Sequence, residues 1–253
     1  MSRPLRVAML THSTLPRGGV VHAMSLSEAL EDLGVETVLH APDSAARGFF
    51  RKPRCAAIGF PVEPARRETA EMVEQRVDDY VRWFRRPENR GFDLYHAHDG
   101  IGANALATLK EEGSIPAFVR TVHHIDDFAD PRLVRRQTRS ILAADALMAV
   151  SALWRENLIE RFGREAELGG NGVDAFRYSP RADGSEAELR HVWVSERAVC
   201  SSVWVASRRA RTRPAFFRPL SRFIAPGPMR VWSLRGARAC SIIIPIRPLS
   251  AGN

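Results

Sequence analysis

Cysteine is scarce in this chain. Cys55, Cys200 and Cys240 are its three, and no two of them share a CxxC spacing. That argues against a disulfide framework and against a zinc site. No apolar run approaches the roughly 20 residues needed to cross a bilayer, and SIIIPI near the end is far too short. The first residues, MSRPLRVAML, run straight into an apolar strand pattern with no cleavable small-residue site, so a cytoplasmic protein is expected. Two phosphate-binding signatures are missing as well. Gly18-Gly19 belongs to neither a GxGxxG fingerprint nor a Walker A loop, since no GK[ST] follows. Ser151 lies outside any GxSxG context, which argues against a hydrolase nucleophile.

What is present begins with charge. The net charge of +8 is unevenly spread. Residues 1–189 carry 25 Lys+Arg against 28 Asp+Glu, a balance of −3. Residues 190–253 carry 12 Arg, no Lys and one acid, Glu196, a balance of +11. The same tail holds Trp193, Trp204 and Trp232 of the five tryptophans. A chain of 253 residues with 45% hydrophobic content can bury a real core in its remaining length.

That remaining length alternates apolar, β-rich runs with helical periodicity, the pattern of a parallel sheet with crossover helices. Strands are expected at 5–10, 35–41, 55–60, 92–99, 117–124 and 146–151, with AELGGNGVD closing the series. Helices are expected at 19–34, about 65–86, 101–113, 130–145 and 152–163. In the first, Val21, Met24, Leu26, Ala29, Leu30 and Leu33 are read as the inward face, and Gly34 as its stop. Pro131 belongs in the first turn of the fourth, where a missing N–H costs nothing. The fold class is therefore α/β, a doubly wound parallel, Rossmann-like sheet. In such a sheet ligands gather beyond the carboxyl ends of the strands. That rule groups residues 11–19, 96–100, 123–127, Ser151 and 171–174.

On those loops stand RGGVVHAMSLSEALEDLG, YHAHDG, TVHH, VSALWREN and NGVDAFRYSP. Together, in this order, they resemble the N-terminal domain of GT-B glycosyltransferases of the subfamily-4-like kind (family 1/4 type), over roughly residues 5–180. The resemblance implies transfer of a sugar from a nucleotide-diphosphate sugar to a sugar or lipid-linked acceptor. It also implies retention of anomeric configuration, no metal and no separate cofactor. The N-terminal domain would bind the acceptor, while a second Rossmann-like domain holds the donor nucleotide. His98 then lies near the transferred sugar as the catalytic residue, and Gly18 and Gly19 meet the donor diphosphate with their backbone amides at a helix N-terminus. Arg17, Asp99, His123 and Ser151 line the acceptor side of the cleft, and Asn171-Gly172 forms the hinge.

Each motif also has a plainer reading. The glycine pair can be a tight turn. His96 and His98 alternate on a strand, so both rings face one side, yet a metal site would want further ligands with a plausible geometry, and no obvious carboxylate set presents itself. His96 can simply pack within the strand. Asp99 can cap the next helix. Of His123 and His124, at most one faces the cleft. Arg120 and Arg17 add positive charge for phosphate, although a lone arginine is more often a solvated surface residue.

Residues 181–253 lose the periodicity, and the phosphate-gripping glycines and paired glutamates of a donor domain are absent after Pro180. One reading treats this tail as a frameshifted remnant of that domain. Reading codons one base earlier makes Val203–Arg213 compatible with VGGVEARTNT and Met229–Ala237 with ARLVIAGG, strings resembling donor-domain strands. The chain would then be truncated and inactive or crippled. An alternative keeps residues 1–180 as an acceptor- or partner-binding module without catalysis. A third takes the arginine-rich tail at face value, as a surface for nucleic acid or an anionic membrane. No nucleic-acid partner is expected on the preferred reading, peripheral membrane contact stays open, and no oligomeric state is indicated.

Overall fold

The computed structural model describes residues 3–174, which fall within one compact unit of the chain, Met1–Tyr178. The tail from residue 181, with its expected remnant of a second domain, lies outside the described residues. Seven strands form one sheet in the order β3-β2-β1-β4-β5-β6-β7, and every pairing is parallel. They are β1 (Arg6–Leu10), β2 (Glu36–Asp43), β3 (Ala56–Pro61), β4 (Leu94–Ala97), β5 (Val119–Val122), β6 (Ala146–Ala149) and β7 (Glu167–Leu168). The helices are α1 (Gly18–Asp32), α2 (Thr69–Arg85), α3 (Gly100–Glu111), α4 (Pro131–Leu142) and α5 (Ala152–Phe162). The chain builds outward from β1 to β3, then returns to β1's other flank as β4. The order of construction thus reverses between β1 and β4, the switch point of a doubly wound sheet.

Period-two alternation splits the core between the two faces of the sheet. Val7 and Met9 of β1 join Ala23 and Met24 of α1, Leu39 and Cys55 in one cluster. Ala8 and Leu10 join the larger cluster on the opposite side, with Val77, Tyr80, Val81 and Phe84 of α2, Leu106 and Leu109 of α3, and Ile141 of α4. Tyr80 ties this layer to β2 and to the residue after β1, because its hydroxyl reaches the carbonyls of Thr11 at 2.6 Å and His40 at 2.8 Å. The strand termini are shorter than the apolar runs suggest at β4, β5 and β6. Helix α2 starts at Thr69 because the Glu68 carboxylate caps it, accepting from the amides of Ala70 and Glu71.

The buried face of α1 matches the expected one at Met24, with Leu26 and Leu30 partly buried against the same cluster, and differs elsewhere. Val20, Ala23, Met24, Ser27 and Glu28 point inward, whereas Val21 and Leu33 are exposed. Small residues at 23 and 27 bring α1 close to the sheet, and the Ser27 hydroxyl is satisfied by the Ala23 carbonyl at 2.9 Å. Glu28 is held by Arg51, whose Nη1 and Nη2 donate to its two oxygens at 2.5 and 2.9 Å. Apolarity alone misplaces Val21, Ala29 and Leu33 here, because size and pairing decide which residues fit against β1 and β2. Among the described residues no helix is long and apolar enough to cross a membrane.

Candidate functional site

The ladder continues one step beyond the strands at the switch point. Thr11 N donates to His40 O, and His98 N donates to Leu10 O, both at 3.0 Å. These bonds fix the residues following β1 and β4 side by side at the carboxyl rim of the sheet. Just past Thr11 the chain turns into α1.

Helix α1 begins at Gly18, and its first intrahelical bond runs from Val21 N to Arg17 O. The amides of Gly18, Gly19 and Val20 precede that bond, and no side chain caps them. The other four α-helices all carry side-chain caps, from Glu68, Asp99, Asp130 and Ser151. Neither glycine of the pair has a positive φ, so no left-handed turn requires them. Gly18 is exposed, with nothing within 4 Å of where a Cβ would stand. At Gly19 a Cβ would meet His123 Cδ2 at 3.5 Å and the His98 carbonyl at 3.6 Å, an ordinary contact that leaves no room for a longer side chain.

Against this helix end three imidazoles converge. His98 follows β4 and His123 follows β5, with His98 Nδ1 and His123 Nε2 3.3 Å apart. His22 comes from α1, its ring centroid 5.5 Å from that of His98 and 4.8 Å from that of His123. His22 Nε2 lies 3.3 Å from the carbonyl of Gly170, so the segment after β7 crosses to α1 at this point. His96 stacks on His98 at 4.4 Å between centroids, as alternation along β4 requires, and its Nε2 lies 2.7 Å from Thr121 Oγ1. Burial pushes all four rings toward the neutral form. His96 falls to about 4 and His123 to about 3, while His98 sits well below its ordinary value and His22 below it, the Gly170 carbonyl partly offsetting the last.

A second group adjoins the first. The Asp99 carboxylate caps α3 through Gly102 N at 2.8 Å, and its other oxygen lies 3.6 Å from His12 Nδ1. Burial works to raise its pKa, but His12, the Gly102 amide and Arg120 hold it below the ordinary value. Arg120 is a correction to the expectation of a solvated arginine. It is 4% exposed on β5, donates through Nη1 to Ser140 Oγ, and is pushed down to about 10 by burial against the opposing pull of Asp99. Its Nε has no partner.

The residues singled out in the sequence distribute as follows. Gly19, His98 and His123 are in contact, and Asp99 flanks them with its capping role realised. Arg17 is exposed at the open end of α1, and Ser151 is half-buried as the cap of α5, accepting from Trp154 N at 3.4 Å. Asn171 and Gly172 are exposed, directly after the Gly170 carbonyl that meets His22. His124 turns away toward Trp154, 4.8 Å between centroids. Sequence reasoning missed His22 and His12. The signal for His22 was its position three residues after Gly19, one turn along the same helix face.

The family model for Glycosyltransferase Family 4 matches residues 16–177, well over half of the chain. Among solved structures the chain is similar to a glycosyltransferase from Rickettsia africae (TM-score 0.53, 10% identity, 78% of this chain and 52% of that one). It is similar to a UDP-N-acetylglucosamine 2-epimerase (0.52, 15%, 75% and 55%). It is also similar to UGT89C1 of Arabidopsis thaliana complexed with UDP-L-rhamnose (0.50, 12%, 76% and 54%). At these identities the likeness is one of fold, and the chain spans about half the length of each of these proteins. No curated protein matches it in sequence.

Proposed function

This chain belongs to glycosyltransferase family 4, and from that premise we propose that it is the acceptor-side half of a retaining GT-B enzyme that takes sugar from a nucleotide-diphosphate donor. The observation that carries the reading is the uncapped start of α1 standing over His98 and His123 at the sheet's switch point. Three free amides and the helix dipole favour an anion there. A departing diphosphate develops negative charge as the glycosidic bond breaks, and fixed backbone donors stabilise it without reorganising. Arg17, exposed at the same helix end, adds positive charge. His98 is the catalytic residue of the proposal: its buried Nε2 has no protein partner and suits a hydrogen bond to a hydroxyl of the transferred sugar. Asp99, His123 and Ser151 form the acceptor side, and Asn171-Gly172 the hinge.

Residues 181–253 are proposed to supply no working donor half, so this chain on its own transfers sugar poorly or not at all. Incubation of the purified chain with UDP-glucose and a panel of monosaccharide and polyprenyl-phosphate acceptors is expected to give no product above a protein-free control. Transfer by the isolated chain would refute that part of the reading. Sequencing the source DNA through codons 185–205 tests the frameshift: an intact frame with no recoverable donor domain ends it.

A further inference from the structure

The three histidines at the rim have six ring nitrogens, and their protein contacts use only some of them. His22 Nε2 faces the Gly170 carbonyl, which can only accept, so the proton of neutral His22 sits on Nε2 and Nδ1 carries a bare lone pair. Nδ1 is buried and has no partner. His98 and His123 use one nitrogen each on one another, and His98 Nε2 is left buried and unpartnered on a side chain that is 3% exposed. Two orphaned imidazole nitrogens within one cluster need an explanation, since buried polar atoms are almost always satisfied. One nitrogen from each of His22, His98 and His123 lies within 4.8 Å of one from both others.

We propose that His22, His98 and His123 bind a divalent transition-metal ion of the zinc class. Imidazole suits Zn, Ni, Co and Cu and does not suit Mg or Ca. Zinc sites with three protein ligands keep Zn–N near 2.0–2.1 Å, which places tetrahedral ligand nitrogens about 3.3 Å apart. The cluster reaches that spacing by closing roughly 1.5 Å, within the reach of ring rotations, with the His98–His123 bond exchanged for bonds to the ion. The Gly170 carbonyl already plays the part of an outer partner, fixing the tautomer of His22. Three protein ligands leave a fourth position for water or an oxygen of a bound molecule. An ion held by His98 and a sugar hydroxyl bonded to the same ring would compete for one residue. The proposal does not rest on sugar transfer, and its failure would leave the acceptor-half reading untouched.

The test uses the untagged 253-residue chain, stripped with chelator and titrated with Zn2+ against a chromogenic competitor. One ion per chain is expected, and Co2+ is expected to give the visible d–d bands of a tetrahedral site. His22→Gln and His123→Gln should each lower affinity by more than the 10–100-fold that loss of an outer partner costs. His124→Gln, whose ring faces Trp154, should leave affinity unchanged. Binding undiminished in the first two variants, or no binding to the wild-type chain, overturns the proposal. Imidazole 15N spectra of the wild-type chain cover the case of a variant that fails to fold. Added Zn2+ should shift the ring nitrogens of His22, His98 and His123, and a different set of histidines shifting overturns it equally.

Discussion

His98 and His123 are each the first residue past their strands, and their Nδ1 and Nε2 atoms meet at 3.3 Å. The contact joins the carboxyl ends of β4 and β5 directly beneath Gly19, so the helix that begins there rests on a polar pair. A double-mutant cycle with His98→Ala and His123→Ala, read by urea denaturation in the presence of chelator, should show coupling of about 0.5–1.5 kcal/mol, the usual net worth of one hydrogen bond. Additive effects would mean that the pair does not stabilise the rim.

Asp99 caps α3 and is the charge that faces buried Arg120. Asp99→Ala loses both and should cost about 2 kcal/mol or more, of which the cap is about 1. Asp99→Asn keeps a capping oxygen and loses only the charge, so it should recover about half of the loss. Equal unfolding midpoints for the two variants would show that the cap contributes nothing, and an Asp99→Asn midpoint equal to the wild-type one would show the same of the charge.

Tyr80 links α2 to the residue after β1 and to the middle of β2, through the carbonyls of Thr11 and His40. Tyr80→Phe preserves the packing and removes this donor from both carbonyls, of which His40 O keeps its bond from Thr11 N. A loss of about 1–2 kcal/mol is expected, a fall of about 2–8 °C in melting temperature for a domain of this size. An unchanged melting temperature would mean that the Thr11 carbonyl finds another donor and that His40 O needs only the Thr11 amide.

His40 supplies a pH dependence with a defined sign. It is 1% exposed between Trp83, Phe84 and Phe92, and burial pushes its pKa down to about 3. The folded value lies below the unfolded one near 6.5, so its contribution is fully present above pH 6.5 and is lost as pH falls toward 3. His40→Leu should therefore flatten the decline in unfolding free energy between about pH 6.5 and 4 relative to the wild-type chain. Parallel curves for the two proteins would contradict this.

Much of the architecture was legible in the sequence because the signals that define it are local. LRVAML, FDLYHAHD and AFVRTVHH carry strand periodicity, Pro131 and Gly34 mark helix ends, and the βα alternation implies the sheet. The inward face of α1 was legible only at Met24, Leu26 and Leu30: the rest is chosen by the small Ala23 and Ser27 and by the pairing of Glu28 with Arg51, which becomes visible only when distant segments meet. Arg120 is a similar case, since its neighbours Ser140 and Asp99 lie 20 residues after it and 21 before it. At the site, the loops after β1, β4 and β5 were grouped by the carboxyl-end rule, but His22 lay inside a helix pattern, and its one signal was its spacing of three residues from Gly19.

Amide 15N chemical shifts of the chain during titration with UDP-glucose, carried to the millimolar concentrations that half of a cleft demands, test the placement of the ligand-facing rim most directly. The shifts should concentrate at Gly18, Gly19 and Val20 and at the amides of His98 and His123. Shifts confined to the opposite, amino-terminal edge of the sheet, or none at saturating nucleotide sugar, would contradict that placement.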